Sequence, residues 1–191
     1  DSIATIYLHN NMLEYGHTYY VTIDNGVLNL ADGSFQGVTK EDEWTFTTKS
    51  DMPELSDTLI VDATGKGDFN TVQGALDFIP DFNEQQTVIL VNPGDYEELV
   101  YTRNKWNVKI KGAGMADTKV HYANNEVFNP HPLTVKTNEW PGTFPSRRAA
   151  FMLDNCKDIV IEDMTIATDL KGQAEGLLIN GERIALYRVH I

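Results

Sequence analysis

A chain of 191 residues, 41% hydrophobic and 23% charged, has the composition of a globular protein with a sizeable core, which excludes the disordered, collagen-like and membrane classes. Its net charge of −13 argues against nucleic acid and anionic membrane surfaces as partners, since both demand clustered Lys and Arg. No apolar run approaches the ~18 residues of a membrane span, and the opening DSIATIYLHN has no basic stretch followed by an apolar one, so neither a span nor a leader is visible.

The charge is uneven: residues 1–57 hold 10 acids and 2 lysines, residues 58–191 hold 18 acids and 13 bases. The composition changes at DMPELSDT, which reads as a linker over residues 51–57. Ahead of it, Tyr19, Val21 and Ile23 alternate with polar neighbours, Asn25-Gly26 makes a turn, and Trp44, Phe46 and Thr48 alternate again. These are antiparallel strands. The pattern resembles the C-terminal half of bacterial immunoglobulin-like domains over residues 1–50, with Trp44 expected in the core. A full sandwich needs ~100 residues, so the expectation is a partial Ig-like β-sandwich.

Residues 58–191 open with TLIVDATGKGDFNTVQGALDFIP, a short strand and a glycine turn leading into a helix. Asn70 and Gln73 fit a capping box, Val72, Ala75, Leu76 and Ile79 form one apolar face, and Pro80 closes the helix. The glycines of GKGDFN do not make a dinucleotide fingerprint, because Asn70 stands where the third glycine is needed.

Beyond the helix come only short apolar runs, and they repeat. Sliding by 25 residues lays Ala149 to Ile166 over Ala174 to Ile191 and matches Leu153 with Leu178, Asn155 with Asn180, Ile159 with Ile184, Ile161 with Leu186, Met164 with Val189 and Ile166 with Ile191. A further copy places Asn104, Val108 and Ile110 over Asn155, Ile159 and Ile161 at an offset of 51, close to two periods. A ~25-residue unit of short strands and turns is what one coil of a parallel β-helix requires. The alternative is a sandwich whose strands happen to recur; it handles doubly apolar strands less well. RIALYRVHI stops at Ile191 in mid-pattern, so a further coil is expected to follow it.

Four ordered stretches carry a family resemblance: Gly65-x-Gly67-Asp68-Phe69-x-Thr71-Val72, Pro93-Gly94-x-Tyr96-x-Glu98, Gly112-x-Gly114-x-x-x-Thr118 and Gln173-Ala174. Together they resemble the pectin methylesterase (pectinesterase) family over residues 58–191. The resemblance implies an all-β, right-handed parallel β-helix, a single-stranded solenoid with an N-terminal helix cap. It also implies hydrolysis of the methyl esters of polygalacturonate without metal or cofactor. One aspartate attacks the ester, a second serves as acid and then base, and glutamine amides stabilise the oxyanion. Both aspartates are expected downstream of RIALYRVHI, the first in a Gly-x-Gln-Asp segment, so the 191 residues alone are expected to be inactive.

Of that machinery Gln173 is carried over, as a transition-state hydrogen-bond donor. Thr143 and Phe144 fit a substrate-facing Thr-Phe segment, and Trp140 either gives a sugar-stacking wall with Phe144 or packs within its own loop. That loop, HYANNEVFNPHPLTVKTNEWPGTFPSRR, interrupts the repeat. Asp163 and Asp169 read as structural, Trp106 as a core residue and Cys156 as a small buried one. The five histidines show no metal-binding spacing. The implied partner is pectin, and the implied location is secreted, extracellular or periplasmic. Alternative readings are a non-catalytic carbohydrate-binding or surface protein on the same scaffold and a pectate lyase-like protein.

Overall fold

The computed structural model describes residues 12–28, 32–33, 35–125 and 148–191. The chain forms two compact units, Asp1–Glu54 and Leu55–Ile191. In the first, β1 (Thr18–Tyr20) pairs antiparallel with β2 (Thr45–Thr47), Tyr19 opposite Phe46. Their rings stack at 5.6 Å. Gly26 takes φ 85° at the Asn25-Gly26 turn, and an antiparallel bridge joins Ile23 to Val38. Trp44, expected in a core, is 44% exposed: the described strands of this unit form a single two-stranded ribbon, with no second layer to cover it.

The second unit is a parallel β-helix. Its elements are β3 (Thr58–Val61), α1 (Val72–Phe78), β4 (Thr87–Val91), β5 (Gly94–Glu97), β6 (Val100–Arg103), β7 (Trp106–Lys111), β8 (Thr118–Tyr122), β9 (Ala149–Thr168) and β10 (Glu175–His190). Every pairing among these strands is parallel. They build three faces. One stacks β3, β4, β7 and the middle of β9; the second stacks β5, β8 and the end of β9; the third stacks β6 and the start of β9. The long strand β10 follows β9 around the coil.

Inward-facing side chains stack in columns along the axis. Leu59, Ile89, Ile110 and Ile161 succeed one another across β3, β4, β7 and β9, all completely buried. Tyr96, Val120 and Ile166 do the same on the second face, and Val100, Phe151 and Leu177 on the third. Apolar stacking in these columns buries each coil against the next, which is the energetic reason a solenoid holds together.

The 20-residue β9 turns its corners without glycine. Asn155, Asp158 and Asp163 take φ of 51°, 54° and 59°. Asn and Asp adopt this left-handed conformation at lower cost than other non-glycine residues, since their short polar side chains bond locally. One coil on, Arg183 and Arg188 take φ of 53° and 50°. Arg183 reaches back to Asp158 (Nη2 to Oδ2 2.6 Å) and Arg188 to Asp163 (Nη2 to Oδ2 2.9 Å), so each strained arginine is tied bidentately to the corner beneath. These guanidinium hydrogen bonds hold both aspartate carboxyls below the usual carboxylate range.

The 25-residue register is found from Gly181, opposite Cys156, through Ile184, opposite Ile159, and Val189, opposite Met164, to His190, opposite Thr165. Ahead of it the pairing differs by one residue. Leu153 faces Ile179 rather than Leu178, and Asp154 rather than Asn155 faces Asn180, with the irregularity falling between Asn180 and Gly181. Asn155 is the extra residue of a β-bulge. Its side chain donates instead to Asn104 Oδ1 at 2.7 Å. The 51-residue offset is also not two periods: β7 pairs directly with β9, Val108 opposite Ile159, so it spans a single coil.

Helix α1 covers the end of the solenoid with Val72, Ala75, Leu76 and Ile79, each no more than 1% exposed. Its N-cap is Thr71, whose Oγ1 accepts from Gly74 N at 3.0 Å, and not the expected Asn70. Gln73 does not complete a capping box either. Its amide bridges to the solenoid, accepting from Tyr101 N at 2.7 Å and donating to Tyr101 O at 2.9 Å. The acid that receives the free helix amides comes from a distant residue: Glu98 accepts from Val72 N and Gln73 N, both at 2.8 Å. Tertiary pairing has replaced the local cap. At the other end, buried Lys105 donates to Ile79 O at 2.6 Å and to Asp81 at 2.7 Å. Trp106 is half-buried rather than in the core; its ring meets Phe82 edge-on, and Lys157 Nζ lies 4.9 Å from its centroid.

On the outer side of the first face Glu162, 8% exposed, takes Lys109 Nζ at 2.8 Å and Lys111 Nζ at 3.4 Å. The Lys109 hydrogen bond holds its carboxyl below the ordinary 4.5. A lowered folded pKa contributes stability that is present above the unfolded value and lost as pH falls through the folded one. Acid unfolding below about pH 4.5 is therefore expected to be less steep in Glu162→Gln than in the parent, as read from melting temperature against pH.

Candidate functional site

The turn between β9 and β10 carries Gln173, and several contacts among the described residues brace it. Asp169 N donates to Tyr122 O at 3.2 Å, Thr168 Oγ1 donates to Asn124 O at 2.7 Å, Asn125 Nδ2 reaches Lys171 O at 3.4 Å, and Ala174 N donates to Gly172 O at 2.9 Å. Gly172 sits at φ 108°, where any Cβ is strained. The turn is laced to the segment after β8 and brings Gln173 to the surface at the head of β10.

Two neighbours that the sequence reading passed over complete this corner. Arg148, just ahead of β9, donates Nε to Glu175 Oε1 at 2.7 Å and Nη1 to Gln173 Oε1 at 3.5 Å. Glu175 opens β10 opposite Ala149. Their separations of 27 and 25 residues lie at the coil period, which is the signal that could have found them. Chemically, an exposed carboxamide in a fixed turn offers an N–H pair to a developing negative charge.

Below the same turn, His121 Nδ1 bonds Asp169 Oδ2, and Asp95 Oδ1 lies 2.9 Å from Nε2 without hydrogen-bond alignment. Asp169, though exposed, thus helps pin the turn. Asp163 is occupied by Arg188. Thr143, Phe144 and Trp140 lie outside the described residues. At the next corner, Trp106, Asn155, Lys157, Asn180 and Glu182 line an open cleft of about 290 Å³. Cys156, buried at 1% exposure, has its thiol pKa raised by that burial, as expected of an inert packing residue.

Among the described residues no three His, Cys, Asp or Glu side chains are grouped to hold a metal ion. Among them, too, no helix is long and apolar enough to cross a membrane.

Residues 58–191 match a family model described as Pectinesterase. The Arabidopsis thaliana protein named "Probable pectinesterase 67" is 33% identical over 96 residues, 47% of this chain and 28% of its own length. A pectin methylesterase from carrot superposes with a TM-score of 0.57 at 22% identity, over 73% of this chain and 40% of the carrot chain. A pectin methylesterase in complex with hexasaccharide VII gives a TM-score of 0.50 at 22% identity, over 72% of this chain and 43% of that one. The structural likenesses establish the parallel β-helix fold. The chain spans less than half the length of each of these three proteins.

Proposed function

The chain belongs to the pectinesterase family through residues 58–191, and from that premise we propose that these coils form part of an enzyme that hydrolyses methyl esters of polygalacturonate. The observation that carries the reading is Gln173, exposed in a braced turn within the family-matched region. In the proposed reaction an aspartate oxygen attacks the ester carbonyl carbon, and the negative charge that gathers on the carbonyl oxygen is met by the Gln173 amide. The C–O bond to the methoxy group then breaks, and a second aspartic acid gives its proton to the departing methoxide, which leaves as methanol. The same aspartate next takes a proton from water, which attacks the acyl-enzyme and frees the galacturonate carboxylate and the nucleophile.

Both aspartates belong to coils beyond Ile191 in this reading. The polymer substrate places the enzyme outside the cytoplasm, extracellular or periplasmic. The first unit, with its antiparallel ribbon, fits an Ig-like module appended to the catalytic coils, with residues 51–57 as linker.

Titration of the isotope-labelled chain with methylesterified hexagalacturonate tests the substrate assignment. The side-chain amide signals of Gln173 are expected to shift, together with backbone signals of residues 169–175. Shifts confined to other faces of the coil, or none at millimolar saccharide, would refute it.

A further inference from the structure

We propose that Arg148 is a positioning residue that decides which end of the Gln173 carboxamide faces outward. The inference rests on the reading of Gln173 as an oxyanion donor. A carboxamide is nearly symmetric in shape but not in chemistry: turned by 180° about its last torsion, it presents a carbonyl acceptor where it had presented an N–H₂ donor. An acceptor at that place repels a developing oxyanion. Something must therefore break the symmetry.

A guanidinium does so because it can only donate. Arg148 Nη1 lies 3.5 Å from Gln173 Oε1. The end of the amide turned toward Arg148 must then be the carbonyl, and the amino end is directed away from it. Arg148 is itself fixed. Its Nε makes a 2.7 Å charge-assisted bond to Glu175 Oε1, and Ala149 and Glu175 are paired across β9 and β10, so the two ends of the contact ride on adjacent strands.

The same geometry argues against Arg148 serving as a clamp for the carboxylates of the polymer. Its charge is already matched by Glu175, whose side chain is 27% exposed and whose second oxygen, Oε2, is buried without a hydrogen-bond partner. A carboxylate with one oxygen buried and unbonded holds the cation on its other oxygen tightly, because releasing it leaves that charge less compensated. Lysine could not replace arginine here, since a single ammonium lacks the planar fork that spans both Glu175 and Gln173.

The test reads the Gln173 side-chain amide by nitrogen-15 relaxation in the labelled 191-residue chain, its signals assigned by their loss in Gln173→Ala. In the parent, the amide is expected to be as rigid as the β10 backbone. In Arg148→Ala and Arg148→Lys it is expected to become measurably more mobile than in the parent, with the β10 backbone signals in place. Glu175→Gln, which keeps the shape and removes the charge, is expected to give an intermediate mobility and guards against a variant that fails to fold. An amide equally rigid in parent and variants would overturn the proposal, as would an amide already mobile in the parent. Failure of the underlying reading looks different: the Arg148 dependence would persist, but methylesterified hexagalacturonate would leave the Gln173 signals of the parent unmoved.

Discussion

Gln173→Ala is expected to lower turnover of methylesterified polygalacturonate by about 10²- to 10³-fold in a polypeptide that also supplies the family's two aspartates, the range for removal of one oxyanion donor. The loss should fall on kcat, with KM little changed, because a donor aimed at charge that develops only in the transition state contributes little to ground-state binding. Structure should be spared. Gln173 is exposed, and the bonds that set its turn run through Asp169, Thr168, Lys171 and Gly172. A melting temperature within a degree or two of the parent, with the kinetic loss intact, separates a chemical role from a scaffolding one. A KM effect with unchanged kcat would instead make Gln173 a substrate-binding group.

The largest expected effect on stability belongs to Phe151→Ala. Phe151 is completely buried on the inner side of the third face, between Val100 of β6 and Leu177 of β10. Removing a buried phenyl ring costs about 3–5 kcal/mol, the lost transfer energy plus a cavity that close-packed neighbours only partly fill. For a unit of this size that corresponds to a fall of roughly 10 °C or more in melting temperature. The site cannot collapse readily, because backbone pairing on both sides fixes the spacing between coils. Phe151→Leu, which keeps most of the volume, is expected to recover more than half of the loss. Equal melting temperatures for parent and Phe151→Ala would mean that the column is not the core.

The features that depend on apolar spacing were legible in the sequence. The recurrence of Ile159, Ile161 and Met164 at Ile184, Leu186 and Val189 is the register found between β9 and β10, because inward side chains of successive coils must match. Val72, Ala75, Leu76 and Ile79 showed the buried side of α1 for the same reason. What failed depended on where polar groups find partners. The cap of α1 comes from Thr71 and from Glu98, 26 residues from Val72, and no local motif encodes a distant acid. The bulge at Asn155 shifted the first half of the register by one residue, since a single left-handed residue leaves the apolar pattern intact.

The candidate site was legible only through family likeness: Gln173 alone has no signature. Its supporting pair, Arg148 and Glu175, and the ladders of Asp158 with Arg183 and Asp163 with Arg188, lie at or near the coil period with opposite charges. Sliding charges as well as apolar residues along that period would have exposed them. Trp44 and Trp106 misled because a tryptophan in a strand is assumed to be covered, and the covering layer is a tertiary fact that the strand itself does not specify.

The central claim, that these coils belong to a pectinesterase whose aspartates lie outside the 191 residues, is tested most directly by methanol release from methylesterified polygalacturonate. The measurement compares the 191-residue chain with the same chain joined to family coils that carry both aspartates. Release by the joined polypeptide alone is the predicted result. Release by the 191-residue chain, or by neither, would contradict the account.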